Sequence, residues 1–222
     1  MIFKTVDKAK IFCISTQRTG TTSVGDFFRQ LGFKVAGWSV VERNNWSKLH
    51  FDGNYDAIFD SNDFKKSKVF EDGPWSVGHF YKYLFYHFPD SKFILFERDA
   101  NDWFNSMISH SKGMTIGNTF RHCTIYNRET EYYAFMGEKH SYENGAMDNL
   151  LPIPETMRQH YVDIYLNRNR QAVDFFAAKD PGSNRFIRLD LEDKNKWSKL
   201  GKYFGLRVPE GMEVHSNKTL KQ

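Results

Sequence analysis

Residues 10–23 read KIFCISTQRTGTTS, and this stretch decides the fold that the sequence predicts. Residues 10–15 are mostly apolar and indicate a short buried strand, whereas residues 16–22 are rich in small polar side chains. A helical pattern follows over residues 23–31 and ends at Gly32. Several backbone N–H groups and the positive end of a helix dipole converge in such a loop. The order of strand, loop and helix therefore favours the binding of an anion such as phosphate.

The loop departs from the phosphate-binding loop of nucleoside triphosphatases, which reads GxxxxGK followed by Ser or Thr. Ser15 stands at the first glycine position, and Thr21 stands at the lysine position. The cation of this loop is instead Arg18, whose guanidinium can bridge a terminal group and the leaving phosphate oxygen. The pattern therefore argues against nucleotide hydrolysis. A threonine-rich turn that only caps the following helix is an alternative that stays open.

The rest of the chain alternates between predicted strands and helices. Strands are expected at residues 67–71, 92–97 and 185–189, and helices at residues 75–87, 99–110, 155–178 and 197–204. Residues 34–41 suit either a second strand or a path into a loop, and residues 44–54 have apolar residues at helical spacing. The polar, glycine-dotted residues 111–154 predict a lid insertion. The alternation predicts an α/β fold with three layers, α/β/α, around a central parallel sheet, similar to P-loop nucleotide-binding proteins.

Length and composition are typical of a single globular domain. The 222 residues suit one domain, residues 1–222, and 21 Phe provide ample apolar surface. The net charge is +4, but acidic residues interleave with basic ones, so a nucleic-acid partner is not expected. Cys13 lies in an apolar run, which indicates a buried thiol. No segment has the length and apolar character of a membrane span, and we expect a cytoplasmic protein.

Two motifs resemble the PAPS-dependent sulfotransferases, where PAPS is 3′-phosphoadenosine 5′-phosphosulfate. Residues 17–23 are similar to the 5′-phosphosulfate loop of that family, and Arg98 with Ser106 resembles its 3′-phosphate motif, an Arg after a central strand and a Ser eight residues later. Lys218, in a polar tail, is similar in position to a basic residue that the family places over the 3′-phosphate. The resemblance extends over most of the chain and is strongest to small bacterial-type sulfotransferases. It implies these donor-binding residues: Gln17, Arg18, Thr19, Gly20, Thr21, Thr22, Ser23, Arg98, Ser106 and Lys218.

The same resemblance implies a reaction, in which the sulfuryl group of PAPS passes to a hydroxyl or amine of a small-molecule or saccharide acceptor. Arg18 is expected to stabilise the charge on the leaving phosphate. Glu71 and Asp72 match the base positions of two different branches of the family, and Glu71 is slightly favoured. A carboxylate that caps a helix near Trp75 is the alternative, and His79 is a further candidate base. No metal is expected, because sulfuryl transfer does not need one.

Rival functions remain at this point. A nucleotide kinase or other phosphotransferase would need a loop lysine and an acidic residue after a strand, for which Asp60 is the candidate. A non-catalytic protein that binds an anion or a nucleotide would have the same loop, and so would a sulfotransferase that has lost turnover. Four aromatic residues suit either an acceptor pocket or the core: Trp38, Trp46, Trp75 and Phe80.

Overall fold

A computed structural model describes residues 9–110, 120–136, 153–214 and 216. The described residues form two compact units. Unit 1 comprises the described residues up to Glu97 and from Gln171 onwards, and unit 2 comprises those between Arg98 and Arg170. No helix among these residues is long and apolar enough to cross a membrane.

Unit 1 contains a five-stranded sheet in which every pairing is parallel. Its strands, in the spatial order β2-β3-β1-β4-β5, are β1 (Ile11–Cys13), β2 (Val35–Ala36), β3 (Val69–Phe70), β4 (Lys92–Glu97) and β5 (Phe186–Asp190). The chain leaves β1 towards β2 and β3 on one side and reaches β4 and β5 on the other. The carboxyl end of β1 is therefore the point where the strand order reverses, and ligands of open α/β sheets bind at such points. The predicted parallel α/β fold is confirmed.

Alternating side chains of the sheet enter two separate cores, because successive residues of a strand point to opposite faces. Ile11, Cys13, Ile94 and Phe96 pack on the face covered by α1 (Thr21–Gln30) and α11 (Lys196–Phe204). The intervening strand residues pack on the other face, against α2 (Trp38–Arg43), α3 (Trp46–Phe51), α4 (Tyr55–Asp60), α5 (Asn62–Lys66), α6 (Phe80–His87) and the last turns of α10 (Arg158–Lys179). Unit 1 thus has the three predicted layers.

Unit 2 is helical and has a core of its own. Its helices are α7 (Ala100–Ser109), α8 (Phe120–Ile125), α9 (Glu129–Met136) and the part of α10 up to Arg170, which follows a 3₁₀ turn at Glu155–Met157. Stacked aromatic pairs build the core, with ring centroids 4.4 Å apart for Trp103 and Tyr165 and 4.5 Å apart for Tyr126 and Tyr161. The predicted lid insertion includes α8 and α9, while its residues 111–119 and 137–152 lie outside the described part.

Some element boundaries differ from those that the sequence predicts. The helix predicted over residues 75–87 begins only at Phe80, because residues 74–79 form turns and Gly78 has a φ of +48°. Residues 34–41 contain the predicted second strand as the two-residue β2, but they then begin the helix α2, which neither alternative included. Residues 155–178 begin with the 3₁₀ turn and continue as α10. The expected buried thiol of Cys13 is confirmed.

Candidate active site

The loop between β1 and α1 is anchored to the neighbouring strand β4. The backbone N–H of Ile14 donates to the carbonyl of Ile94 at 2.9 Å, which extends the pairing beyond the end of β1. The buried hydroxyl of Ser15 then accepts a hydrogen bond of 2.7 Å from the N–H of Phe96. Ser15, which stands where a triphosphatase has glycine, therefore holds the start of the loop to the sheet.

The conformation of the loop depends on two residues with left-handed backbone. Arg18 has a φ of +66° and Gly20 a φ of +83°. A non-glycine residue with positive φ is uncommon and occurs where the surrounding structure holds it. Between them, the fully buried Thr19 donates its hydroxyl to the carbonyl of Thr16 at 2.6 Å. The left-handed backbone at this position favours glycine, and a methyl group on Gly20 would lie 2.7 Å from Leu191 Cδ1, so the end of the Leu191 side chain would have to move.

Polar groups at this loop suit an anion. The first turn of the ten-residue helix α1 has no acidic residue, and its N-cap, Gly20, provides no side-chain hydrogen bond. The first-turn N–H groups of a helix have no partner within the helix and carry the positive end of its dipole. The buried hydroxyl Oγ of Thr16 has no hydrogen-bond partner among the described residues. Arg18 is partly exposed, so its guanidinium can reach a bound ligand.

Glu71 directly follows β3, the strand that pairs with β1, so both strands end at the same edge of the sheet. Its side chain is only 3% exposed, and Oε1 lies 3.4 Å from Arg29 Nη2. Oε2 is buried with no hydrogen-bond partner in the part of the chain that the structure describes. Burial, and secondly the charge of Asp72, raise the pKa of Glu71 to about 8, although Arg29 opposes the shift. A carboxyl of this kind can hold or accept a proton near neutral pH.

Asp72, the other candidate base, has a different environment. It is partly exposed, its φ is +75°, and its Oδ1 accepts a hydrogen bond of 2.7 Å from the N–H of Gly73. The proposed cap of a helix near Trp75 is wrong for both carboxylates, because the next helix begins at Phe80 and has no side-chain cap. Asp72 is therefore next to Glu71, but the carboxyl of Asp72 is held by a hydrogen bond from the adjacent backbone.

The remaining candidates lie in different environments. His79, the further candidate base, precedes α6, is exposed, and has Nδ1 3.4 Å from the hydroxyl of Tyr81. Asp60 ends α4, follows no strand and pairs with Lys65 at 2.9 Å, which removes the acidic residue that a kinase would need there. Trp46, Trp75 and Phe80 belong to the core, whereas Trp38 is 47% exposed.

The 3′-phosphate motif lies in unit 2, where Arg98 follows the last residue of β4. The hydroxyl of Tyr165 accepts from the N–H of Arg98 at 3.1 Å and donates to its carbonyl at 3.3 Å. Tyr165 in turn stacks on Trp103 of α7. Ser106 lies within α7. The side chain of Asp99 caps the N-terminus of this helix by accepting hydrogen bonds from the backbone N–H groups of Asn101 and Asp102. Lys218 lies outside the described residues.

Four residues around these candidates were not predicted from the sequence. Arg29, Asp26 and Ser216 connect to Glu71 in unit 1, and Tyr165 holds the backbone of Arg98 in unit 2. Only the pair of Asp26 and Arg29 had a signal in the sequence, since opposite charges three residues apart on a helix face each other. The others are separated by tens of residues and meet only in the folded chain.

A comparison with protein-family models gives a match to the sulfotransferase domain over residues 10–220. The chain belongs to the sulfotransferase domain family. The match includes the loop between β1 and α1, the carboxylates after β3, and Arg98 with Ser106. The predicted resemblance is therefore confirmed at the level of the family.

The chain was also compared with solved structures and with curated proteins. Among solved structures, the crystal structure of a sulfotransferase from Alicyclobacillus acidocaldarius is similar to this sulfotransferase-family chain at 14% identity. The alignment covers 95% of this chain and 87% of that one, with a TM-score of 0.36. A comparison with curated proteins gives no match.

Proposed function

We propose that this member of the sulfotransferase family transfers the sulfuryl group of PAPS to a hydroxyl or amine of a small-molecule or saccharide acceptor. The observation that carries the proposal is a buried carboxyl with a raised pKa, Glu71, at the sheet edge where the neighbouring strand β1 leads into an anion-binding loop. Sulfotransferases generally use PAPS as donor, and the family match supports the same donor here. The match runs through both units and also supports a single domain over residues 1–222.

The loop residues are proposed to bind the 5′-phosphosulfate end of the donor. The N–H groups at the start of α1 and the hydroxyl of Thr16 provide hydrogen bonds for oxyanions. Arg18 provides a positive charge for the bridging oxygen, where negative charge accumulates as the sulfur–oxygen bond to phosphate breaks. Arg98 and Ser106 are proposed to bind the 3′-phosphate, and Lys218 is proposed as a further contact. When bound, PAPS supplies the sulfuryl group and the leaving phosphate.

Glu71 is proposed to accept the proton of the acceptor as the new bond to sulfur forms. Its ionised carboxylate is the active form, so the protonated fraction below a pKa of about 8 is inactive. Asp72 is the less suitable base, because its Oδ1 already accepts from the N–H of Gly73. We therefore propose Glu71 as the base, with Asp72 acting on it through its charge.

The donor site is tested by calorimetric titration with 3′,5′-adenosine bisphosphate, the desulfated donor, and separately with ATP and magnesium. We expect tight binding of the bisphosphate and weak binding of ATP. Arg18→Ala and Arg98→Ala should each weaken the bisphosphate by about tenfold or more, because each removes a charge-assisted contact of ~1.5–3 kcal/mol. Arg43→Ala is the matched control, because Arg43 is exposed and pairs with Asp63. Preference for magnesium-ATP, or binding of neither ligand, would contradict the proposal.

A further inference from the structure

The carboxyl of Glu71 occupies a space that two glycines leave open. A methyl group on Gly25 of α1 would lie 2.9 Å from Glu71 Oε1, and one on Gly37, just before α2, would overlap the same oxygen. Real Cβ atoms do not approach this closely, so any larger residue at either position would displace the carboxyl. The backbone of α1 and the end of β2 are thus shaped around this side chain.

Arg29 of α1 reaches into this space from the surface. Its side chain is 40% exposed, while the Glu71 side chain that it contacts is 3% exposed. The guanidinium divides its two terminal nitrogens between two carboxylates. Nη1 donates to Asp26 Oδ1 at 2.6 Å, and Nη2 donates to Glu71 Oε1 at 3.4 Å. The planar fork of arginine makes such a bridge possible, whereas the point charge of lysine cannot meet both partners with fixed geometry.

Asp26 is itself held by the C-terminal segment. The hydroxyl of Ser216 donates to Asp26 Oδ2, and the N–H of Ser216 donates to Ser23 Oγ at 3.1 Å. Ser23 and Asp26 both lie on α1, so Ser216 is fixed to the helix at two points. Asp26 therefore has a defined position, and it fixes one end of the Arg29 guanidinium while the other end is directed at Glu71.

We propose that Arg29 is a positioning residue for Glu71, which orients the buried carboxyl and favours its ionised form. The proposal rests on the proposed role of Glu71 as the base. Among the described residues, three charged groups act on the Glu71 carboxyl: Asp72 and Asp26 disfavour its ionisation, and Arg29 favours it. Since burial acts in the same direction as the two carboxylates, Arg29 is the group that keeps the ionised form accessible.

The ionisation of Glu71 can be measured without turnover, by infrared difference spectra of the purified protein over a pH titration. The carbonyl stretch of a protonated buried carboxylic acid is assigned to Glu71 by its loss in Glu71→Gln. In Arg29→Gln the midpoint of this band should move upward by about one pH unit, because a favourable charge is removed. Arg29→Lys keeps a charge without the fork, so its midpoint should lie between those of the wild type and Arg29→Gln.

The matched control is Arg43→Gln, which removes an exposed arginine that pairs with Asp63 and has no contact with Glu71. The control should leave the midpoint unchanged. An unchanged midpoint in Arg29→Gln, or an equal shift in Arg43→Gln, would overturn the proposal. Because Arg29 is partly exposed, the variants should fold, and a melting curve of each verifies this before the titration.

The test of Arg29 can succeed or fail independently of the proposed function. Arg29→Gln should bind 3′,5′-adenosine bisphosphate as the wild type does, because Arg29 has no place in the proposed donor site. If the wild type fails to bind the bisphosphate, the donor proposal fails, while the infrared shift still decides the role of Arg29. If turnover survives in Glu71→Gln, the base is another group, and Arg29 then acts on a carboxyl outside the chemistry.

Discussion

At the scale of single residues, the buried carboxyl of Glu71 makes the stability of the protein depend on pH. Its pKa rises from an ordinary 4.5 to about 8 in the folded chain, because burial disfavours the charge. Between these values the folded state holds a proton that the unfolded state has lost. The free energy of unfolding therefore falls as pH rises from 4.5 to about 8, by up to ~1.4 kcal/mol per pH unit from this group.

Glu71→Gln should remove this dependence. Urea unfolding of the wild type and the variant, at pH values below 4.5 and above 8, should show the variant gaining a few kcal/mol relative to the wild type at the higher pH. Asp60→Asn is the control, because Asp60 is 79% exposed and its ion pair with Lys65 contributes little. Parallel stability curves for wild type and Glu71→Gln would show that the carboxyl is not protonated in the folded state.

The hydroxyl of Tyr165 is predicted to set the position of Arg98. Tyr165→Phe leaves the N–H and the carbonyl of Arg98 without this partner, at a cost of ~1 kcal/mol. We expect the affinity for 3′,5′-adenosine bisphosphate to fall about fivefold in calorimetry. Tyr86→Phe, a change of the same kind at a residue that is 63% exposed, should leave the affinity unchanged. Equal affinities in the two variants would contradict a role for Tyr165.

At the scale of elements, Gly20 in the loop before α1 combines a left-handed backbone with a close neighbouring side chain. Gly32 has the same backbone conformation without the neighbour, so it is a control for the first feature. Gly20 and Gly32 both have a φ of +83°, but only a methyl on Gly20 would meet another side chain, Leu191. Gly32→Ala should cost ~1 kcal/mol for its backbone conformation alone. Gly20→Ala should carry the same conformational cost and a smaller further cost, because the end of the Leu191 side chain must move, and it should also weaken bisphosphate binding.

Chemical denaturation of both glycine variants measures the two costs. The double variant Gly20→Ala with Leu191→Ala tests the assignment, since removing the Leu191 side chain should reduce the effect of the added methyl. If Gly20→Ala is no less stable than Gly32→Ala, the close approach of Leu191 does not determine this position.

Elements also differ in how far the sequence could predict them. The strand over residues 92–97 was predicted with its exact bounds, because a central parallel strand is buried on both faces and is continuously apolar. β2 has only two residues, too few for a periodic pattern. The start of α6 was placed too early because Trp75, which lies before it, is buried within turns and not on a helix. A local sequence pattern predicts buried strands, but it does not predict burial that depends on residues distant in the sequence.

The same limit applies to the candidate site. The loop between β1 and α1 is one continuous stretch, so the order of its residues is enough to predict an anion site there. Glu71 was a candidate because it ends a predicted strand and matches a base position of the family that the sequence resembles. Its contact with Arg29 joins residues 42 positions apart, and that of Ser216 with Asp26 joins residues 190 positions apart. Such contacts arise from the packing of α1 against the sheet edge and leave no periodic signal.

At the scale of the whole molecule, donor binding and sulfuryl transfer should respond differently to pH and to the loss of Glu71. Donor binding is assigned to the loop and to Arg98 and Ser106, whereas proton removal is assigned to Glu71. Glu71→Gln should therefore bind 3′,5′-adenosine bisphosphate within about twofold of the wild type. Its turnover of labelled PAPS, with any acceptor that a screen yields, should fall by about 10²–10⁴, the usual contribution of a general base.

The proposed role of Glu71 also predicts the direction in which wild-type turnover changes with pH. If the carboxylate is the active form, as proposed, and the pKa of Glu71 is about 8, kcat should rise with pH up to about 8 and level off above it. Bisphosphate affinity should show no such rise, because the carboxyl has no place in donor binding. A kcat that falls through this range, or a rise that persists in Glu71→Gln, would assign the proton to another group and leave the donor site intact.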